Sequence, residues 1–396
     1  MSTSLLYHGF AVRGYRYRRT EYLKGAVHFV IEHDPDKLRC ACCGSDAVIR
    51  AGTAPRQLRT LPIGARPVWL KLDVQRLRCR DCGRTRQAEL GFAEGRFHYT
   101  KAFERYVLDL SQHMTIKAVA EHLGVGWDLV KDIQKRSLEK RFRHIPLGGL
   151  KRLAIDEISI GKGHRYLTVV LDLASGAVVF IGDGKGTDAL VPFWRKLKAS
   201  RAQIEAVATD MSPAYTLAVA ENLPEAVHVF DRFHVVKLFN EKLSALRRQV
   251  QNAAETIEQK KAIKGTRWLL LKNPQNLEDD RDERTRLDEA LQLNQPLATA
   301  YYLKEDLRQL WDQPDKEDAG RFLDDWIKRA EASGVGILKK FANTLRLHRK
   351  GLLAWYDQRI TTGPLEGTNN KIKTMQRQAY GFRDPTFFRL KIFALH

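Results

Sequence analysis

The sequence predicts a multidomain α+β protein, in which a cysteine-bearing N-terminal module and a short helical module precede a mixed-sheet α/β core with an all-helical insertion. Three observations support this prediction. Two Cys-x-x-Cys pairs lie in the N-terminal quarter, short β-rich runs begin after residue 150, and a charged, helix-favouring stretch follows from about 241. At 396 residues the chain is too long for one ordinary core.

The chain is strongly basic, with 67 Lys and Arg against 47 Asp and Glu and a formal net charge of +20 at pH 7. Most of the surplus lies in residues 1–150. A positive charge of this size favours a polyanionic partner such as nucleic acid. No apolar run approaches the roughly 18 residues that a membrane span needs, and the N-terminus lacks the order of a signal peptide. We therefore expect a cytoplasmic protein with no membrane partner.

The two Cys-x-x-Cys pairs predict one tetrahedral, structural Zn²⁺ site. Gly44 and Gly83 follow the pairs directly, and their tight turns let backbone amides approach the thiolates. Alternation in residues 68–74 predicts a strand that returns the second pair to the first; redox or inert cysteine motifs are the alternative. The fifth cysteine, Cys42, is expected to be a small buried hydrophobic residue. The predicted ligands are Cys40, Cys43, Cys79 and Cys82.

Residues 115–137 have the pattern of a helix-turn-helix. Ala120 is small where two helices would touch, Gly124 suits the turn, and Val130 is an apolar anchor in the second helix. An ordinary αα-hairpin is the alternative, but the basic charge of the region favours contact with DNA. The outward side chains of the second helix that could contact phosphates and base edges are Trp127, Asp128, Lys131, Gln134 and Lys135.

The pattern changes to strands after the glycine pair at 148 and 149. The predicted strands are 153–158, 166–173, 177–182, 204–209 and 227–230, with helices from about 188 to 199, from Ser212-Pro213 and after 230. The order βββαβαβα is that of an RNase H-like domain with a mixed sheet.

Two aspartates occupy matching places in this arrangement. Asp156 lies in the first, central strand and Asp210 just past the end of its neighbour, so their carboxylates should converge at one end of the sheet. Glu157 should point to the opposite side of the strand and is not expected to be catalytic.

A third acid, Glu366, lies in the first turn of a helix that Thr362-Gly363-Pro364 is predicted to start. A solvated helix face with a favourable N-terminal acid is the alternative. Three carboxylates on rigid elements could clamp two Mg²⁺ or Mn²⁺ ions roughly 4 Å apart for phosphoryl transfer. The neighbours of Glu366 on this helix face, predicted to follow DNA phosphates, are Asn369, Asn370, Lys373 and Arg377.

Asp231 and His234 are possible accessory residues of the same site. Asp231 follows a predicted strand and could simply cap the next helix. His234, one turn on, could instead face the site as a proton shuttle or phosphate contact.

Residues 241–350 predict the helical insertion, since they are rich in charge and helix formers and have no convincing strand. Four tryptophans in or beside it are expected in the core rather than stacked on bases: Trp268, Trp311, Trp326 and Trp355.

A resemblance to a known family rests on several segments taken together. They are the paired cysteine motifs with residues 61–64 between them, the helix-turn-helix, and residues 154–157, 209–212, 230–234, 366–373 and 380–382. This combination resembles the ISL3 family of bacterial insertion-sequence transposases, which are DDE enzymes. The resemblance covers nearly the whole chain. It implies an RNase H-like catalytic core, two Mg²⁺ ions held by Asp156, Asp210 and Glu366, and action at terminal inverted repeats.

The hypothesis that follows is a transposase whose N-terminal modules bind the element's ends and whose carboxylates activate water for strand cleavage, after which the freed 3′-hydroxyl attacks target DNA. The partners expected are both DNA substrates and a second copy, in a homodimer or larger assembly on nucleoid DNA. A transposase-derived regulator that no longer cuts and a stand-alone RNase H-like nuclease are the alternatives.

The predicted domain order has five segments. They are a zinc-binding N-terminal domain at 1–98, the helix-turn-helix at 99–147, the first part of the catalytic core at 150–240, the helical insertion at 241–350 and the last part of the core at 351–396.

Overall fold

A computed structural model describes residues 5–161 and 163–396. The chain divides into two compact units, Met1–Arg143 and His144–His396. No helix of the described residues is long and apolar enough to cross a membrane.

The first unit contains a five-stranded sheet in the order β1-β2-β4-β3, with β5 paired to β4. Its core includes Leu58, Val68 and Leu70, whose side chains are fully buried. The strand predicted at residues 68–74 is thus part of a longer strand. In residues 15–23 and 48–63, exposed arginines interrupt the alternation of apolar and polar side chains. The elements are α1 (Leu5–Phe10), β1 (Tyr15–Leu23), β2 (Ala26–His33), β3 (Val48–Ile63), β4 (Arg66–Cys79) and β5 (Thr85–Gln87).

Three helices complete this unit: α2 (Lys101–Leu110), α3 (Ile116–Leu123) and α4 (Trp127–Arg141). Thr115 caps α3 by accepting a hydrogen bond from the backbone amide of Ala118 at 3.2 Å. Gly124 ends α3 in the left-handed conformation, with φ of 62°. The buried Val119 and Val130 hold α3 and α4 together in the predicted helix-turn-helix.

The second unit is built on a mixed sheet in the order β10-β9-β6-β7-β8, so that β6 is central. Strand β7 pairs antiparallel with both β6 and β8. On the other side of β6, strands β9 and β10 run parallel to it. This is the RNase H-like arrangement that the sequence predicts. The elements are β6 (Arg152–Gly161), β7 (Arg165–Asp172), β8 (Val178–Asp183), α5 (Thr187–Ser200), β9 (Ala206–Thr209), α6 (Pro213–Asn222) and β10 (Val227–Phe230).

Helices follow the last strand: α7 (Arg232–Ala253), α8 (Ile257–Ile263), α9 (Arg267–Leu271), α10 (Glu283–Gln292), α11 (Gln295–Arg308), α12 (Lys316–Ala332), α13 (Gly336–Leu347), α14 (Arg349–Leu353), α15 (Gly363–Gln378) and α16 (Pro385–Phe393). Helix α7 and the helices α9 to α14 share a core with Phe239, Trp326 and Phe341 at its centre.

Of the four tryptophans expected in the core, Trp311 and Trp326 are buried and Trp355 is partly buried. The expectation was wrong for Trp268, which is 65% exposed. The reason is that α9 is a single short turn that buries Leu269 and Leu270, so the position before them faces outward.

The two faces of the central sheet are covered by different helices. Leu190 and Tyr215, from α5 and α6, pack on one face. Leu365 and Ile372 of α15 and Phe388 of α16 pack on the other. Because successive side chains of β6 alternate between faces, the sheet separates Asp156 from Glu157.

Candidate functional site

The four predicted zinc ligands come together in the first unit. Their sulfur atoms all lie within 4.8 Å of one another. The Sγ atoms of Cys40 and Cys82 are 3.6 Å apart, and those of Cys43 and Cys79 are 3.5 Å apart. Backbone amides of Cys43 and Cys42 donate to the Cys40 sulfur and lower the pKa of that thiol to about 6, which favours the thiolate. Four convergent sulfurs are the donor set of a structural tetrahedral zinc site.

Cys42 does not have the predicted buried position. Its side chain is exposed, and its sulfur accepts a 3.2 Å hydrogen bond from Nη1 of Arg84. The cause is local, because Cys42 lies inside the turn whose flanking residues Cys40 and Cys43 both point at the cluster, which leaves the intervening side chain outside.

Four of the five residues predicted to contact DNA through α4 have accessible side chains. Trp127 and Asp128 are exposed, Lys131 and Lys135 are half-buried, and the ammonium of Lys131 lies 6.0 Å from the centre of the Trp127 ring.

Gln134 is the exception, since it is only 5% exposed and cannot read a base edge from this position. It lies one turn after Val130 and next to Ile133, both fully buried. The inner face of α4 is therefore wider than its apolar pattern indicates.

Asp156 and Asp210 lie at the same end of the central sheet. Strands β6 and β9 pair in parallel, with Ala154 opposite Ala208. Asp156 and Asp210 each follow two residues after this pair, so the two aspartates lie at the same level of the sheet. Oδ1 of Asp210 accepts a 2.9 Å hydrogen bond from the backbone amide of Ser212, which orients this carboxylate just beyond the strand.

The electrostatics of Asp156 reflect this proximity. Burial raises the pKa of its carboxyl above the usual range, and the negative charge of Asp210 raises it further. The amide of Glu157 and the charges of His234 and Lys237 act in the opposite direction. Two close carboxylates in a partly desolvated site repel each other, and a bound cation would relieve the repulsion.

Glu366 lies in the first turn of α15, as predicted, and is half-buried. Helix α15 packs on the face of the sheet that holds Asp156. The three carboxylates do not form a compact ligand set, because among the described residues the four cysteines are the one group of three or more such ligands placed to hold a metal ion.

Asn369 is the residue that joins α15 to the aspartates. Its Nδ2 donates a 2.9 Å hydrogen bond to Oδ2 of Asp156. With 6% of its surface exposed, Asn369 does not follow DNA phosphates as predicted. Its position three residues after Glu366 was the signal for a place in the site, since such residues share a helix face. The other three residues of the predicted stripe, Asn370, Lys373 and Arg377, are exposed.

Both oxygens of the Asp231 carboxylate accept hydrogen bonds from backbone amides. Its Oδ2 accepts from the amide of Phe233 at 3.0 Å, and its Oδ1 accepts from the amide of Thr362 at 3.1 Å. It therefore caps α7 and holds the start of α15. His234 is half-buried and close enough to Asp156 to lower its pKa.

Lys237 was not predicted as a site residue. Its charge lowers the pKa of Asp156, as that of His234 does, and its position three residues after His234 on the predicted helix was the available signal. Glu157 faces the other side of the sheet as expected, where its Oε1 accepts from Tyr215 Oη at 2.9 Å and from the amide of Gly186 at 3.2 Å.

Three family models match the chain in order along the sequence. A zinc-finger model of the transposases IS204, IS1001, IS1096 and IS1165 matches residues 36–82. A model described as the helix-turn-helix domain of transposase family ISL3 matches residues 88–138. The ISL3 transposase model of DDE type matches residues 153–392, more than half of the chain.

Similar proteins agree with these matches. The transposase for insertion sequence element IS1001 of Bordetella parapertussis is 36% identical over 356 residues, covering 89% of this chain and 87% of that protein. The transposase for IS1557 of Mycobacterium tuberculosis is 32% identical over 374 residues, covering 88% and 83%. A remote structural neighbour, from the Drosophila P element transposase strand transfer complex, has a TM-score of 0.32 at 11% identity over 63% of this chain and 77% of its own.

Proposed function

Since this chain belongs to the ISL3 family of transposases, and is thus a DNA transposase, we propose that Asp156, Asp210 and Glu366 are its catalytic acids. The observation that carries the proposal is the placement of Asp156 and Asp210 at one end of neighbouring strands, with helix α15 fastened there by the hydrogen bond from Asn369 to Asp156. Glu366 is one turn before Asn369 on the same face of α15, so its carboxylate is directed to the same end of the sheet.

The three carboxylates would hold Mg²⁺ or Mn²⁺, because hard divalent cations prefer carboxylate oxygens. A bound pair of such ions lowers the pKa of an attacking water and stabilises the charge on the leaving oxygen. The protein's own part is to keep two repelling carboxylates side by side, to fix the Asp156 carboxylate through Asn369, and to place the His234 imidazole and the Lys237 ammonium beside the scissile phosphodiester.

The reaction proposed has two phosphoryl-transfer steps. Water attacks a phosphodiester at the element's end, the bond to the 3′ oxygen breaks, and that oxygen leaves as a 3′-hydroxyl. The 3′-hydroxyl then loses its proton and attacks a phosphodiester of target DNA. Its oxygen bonds to that phosphorus, the bond from the phosphorus to the 3′ oxygen of the target strand breaks, and this oxygen leaves as a new 3′-hydroxyl, so that the element is joined to the target. The zinc module and the helix-turn-helix would recognise terminal inverted repeats, and a homodimer or larger assembly on the bacterial nucleoid would hold two ends together.

Strand cleavage by the variant Glu366→Gln tests the assignment. The variant keeps the shape of the side chain but removes the charge that would hold a cation, so cleavage of an end-containing duplex in Mg²⁺ should fall by orders of magnitude. Binding to the same duplex should be unchanged. The matched control is Glu221→Gln, at an exposed position of α6.

Cleavage by Glu366→Gln at the wild-type rate would remove this residue from the site. The assay also separates the alternatives. A regulator would bind ends without cutting them, and a nuclease would cut without joining a pre-cut 3′ end to target DNA.

A further inference from the structure

A groove leads away from the proposed catalytic site along the insertion. One wall is a stripe of α7 side chains spaced three or four residues apart, among them Phe233, Lys237, Asn240 and Arg248, and the other wall includes Arg267 of α9. The stripe begins two residues after Asp231, which is tied to the start of α15, and covers about 22 Å of helix. The volume of the groove is about 500 Å³.

The groove is positively charged. Within the described part of the chain, the exposed Lys237, Arg248 and Arg267 form no salt bridge, and Glu241, which also lines the groove, forms none with them. After burial, the positive charges of Arg248 and Arg267 lower the pKa of neighbouring Arg247, which shows that both guanidinium groups lie close to it. Three cations and one carboxylate along a concave surface leave a positive surplus, which favours a polyanion.

Aromatic rings accompany these charges. Phe233 is 45% exposed, and Trp268 is exposed beside the groove with the Arg267 guanidinium 4.8 Å from its ring centre. Flat rings stack on unpaired bases, whereas the bases of intact duplex DNA are not available for stacking.

We propose that this groove binds the unpaired DNA strand next to the scissile phosphodiester. The proposal rests on the function proposed above, since that function puts the scissile phosphodiester at the Asp156 end of α7. Bases lie against Phe233 and Trp268, and phosphates are bound by the three cations. A volume of about 500 Å³ is that of a small-ligand pocket and cannot enclose a duplex, so a separated strand is the form of DNA that fits.

The test compares the affinity of the full chain for two fluorescein-labelled DNAs of one sequence, a blunt duplex and the same duplex with a single-stranded overhang. Fluorescence anisotropy is read in Ca²⁺, which replaces Mg²⁺ to prevent cleavage. The wild-type protein should bind the overhang DNA about tenfold more tightly, as expected for stacking of one or two bases. The double variant Arg248→Ala, Arg267→Ala should lose this preference and keep blunt-duplex affinity within about twofold.

Two further variants sharpen the result. Trp268→Leu keeps an apolar side chain but removes the ring, and should lose part of the preference without loss of charge. Lys328→Ala, at an exposed cation of α12 outside the groove, should keep the preference. Equal wild-type affinity for both DNAs, or a preference that survives the double variant, would overturn the proposal. Equal loss on both DNAs would overturn it as well, in favour of a duplex contact.

The result is independent of the catalytic assignment. The same comparison in the Glu366→Gln background measures the groove whether or not that variant cuts DNA. A retained overhang preference together with normal cleavage by Glu366→Gln would reject the proposed acids and leave the strand-binding groove standing.

Discussion

The side-chain amide of Asn369 donates a 2.9 Å hydrogen bond to the carboxylate of Asp156 from a position 213 residues later in the sequence. It ties α15 to the central strand at the proposed catalytic site. The amide oxygen is buried without a hydrogen-bond partner, so the Asp156 contact is the one that the structure gives this side chain. Asn369 is therefore a positioning residue for the acid beside it.

We predict that Asn369→Ala lowers strand cleavage and the affinity for Mn²⁺ by about 10- to 100-fold, the usual effect of removing a residue that orients a metal-binding side chain. Gln378→Ala, at an exposed amide of the same helix outside the predicted DNA stripe, is the control and should change neither. Cleavage rates and calorimetric titration with Mn²⁺ give the two readouts. Identical behaviour of the two variants would show that the hydrogen bond does not position Asp156.

Cys79 and Cys42 form a matched pair for the zinc site, because only Cys79 belongs to the four-sulfur cluster. Cys79→Ser should lose the metal and unfold the N-terminal module, since the binding energy of a structural site is also folding energy. Cys42→Ser should retain one zinc per chain. Elemental analysis and circular dichroism measure the two effects, and normal zinc content in Cys79→Ser would contradict the assignment.

His228 should make the second unit sensitive to mild acid. Burial lowers the pKa of its imidazole from an ordinary 6.5 to about 4, and the charge of His348 adds to this effect. Between these values the unfolded chain binds a proton that the folded chain does not, so the free energy of unfolding falls as pH falls. The loss approaches about 3 kcal/mol near pH 4.

Urea unfolding of the wild type and of His228→Gln from pH 7.5 to 4.5 measures this effect. Glutamine can still pair with Thr209, whose Oγ1 lies 2.7 Å from Nε2 of His228, but it does not titrate. The variant should have the flatter profile. Parallel profiles would assign the acid sensitivity to other groups.

Gly182 should not tolerate a side chain. A Cβ built at this position of β8 would overlap the backbone carbonyl oxygen of Ala189 in α5, and backbone cannot rotate away as a flexible side chain can. We expect Gly182→Ala to destabilise the unit by about 1 to 3 kcal/mol, as overpacking does in other cores. Gly336→Ala, where a Cβ meets no atom within 4 Å, is the control. Equal unfolding midpoints for the two would contradict this expectation.

The sequence predicted the features that depend on local pattern or short spacing. The four zinc ligands, the helix-turn-helix and the strands of the central sheet follow from cysteine pairs, a turn glycine and apolar runs. The strands β1 to β3 were not predicted. Exposed arginines interrupt the alternation of β1 and β3, and the parallel pairing of β2 with β4 joins segments that are distant in the sequence.

The errors at single residues have a common cause. Gln134 and Asn369 are polar residues that the fold buries, and helical periodicity places polar residues outside unless a partner from elsewhere in the chain is known. For Asn369 that partner is Asp156. Trp268 and Cys42 are the reverse case, since short turns leave them exposed despite their usual preference for the interior.

The two backbone hydrogen bonds of Asp231 have a consequence for how this protein can change. One joins it to the start of α7 and the other to Thr362, 131 positions later in the sequence. The segment between them therefore leaves and re-enters the core at one point. A segment with adjoining ends can lengthen, shorten or be exchanged without displacing Glu366. A chimera carrying the corresponding helices of a relative should therefore keep the proposed catalytic acids in place, and the insertion is the part of the molecule best suited to exchange.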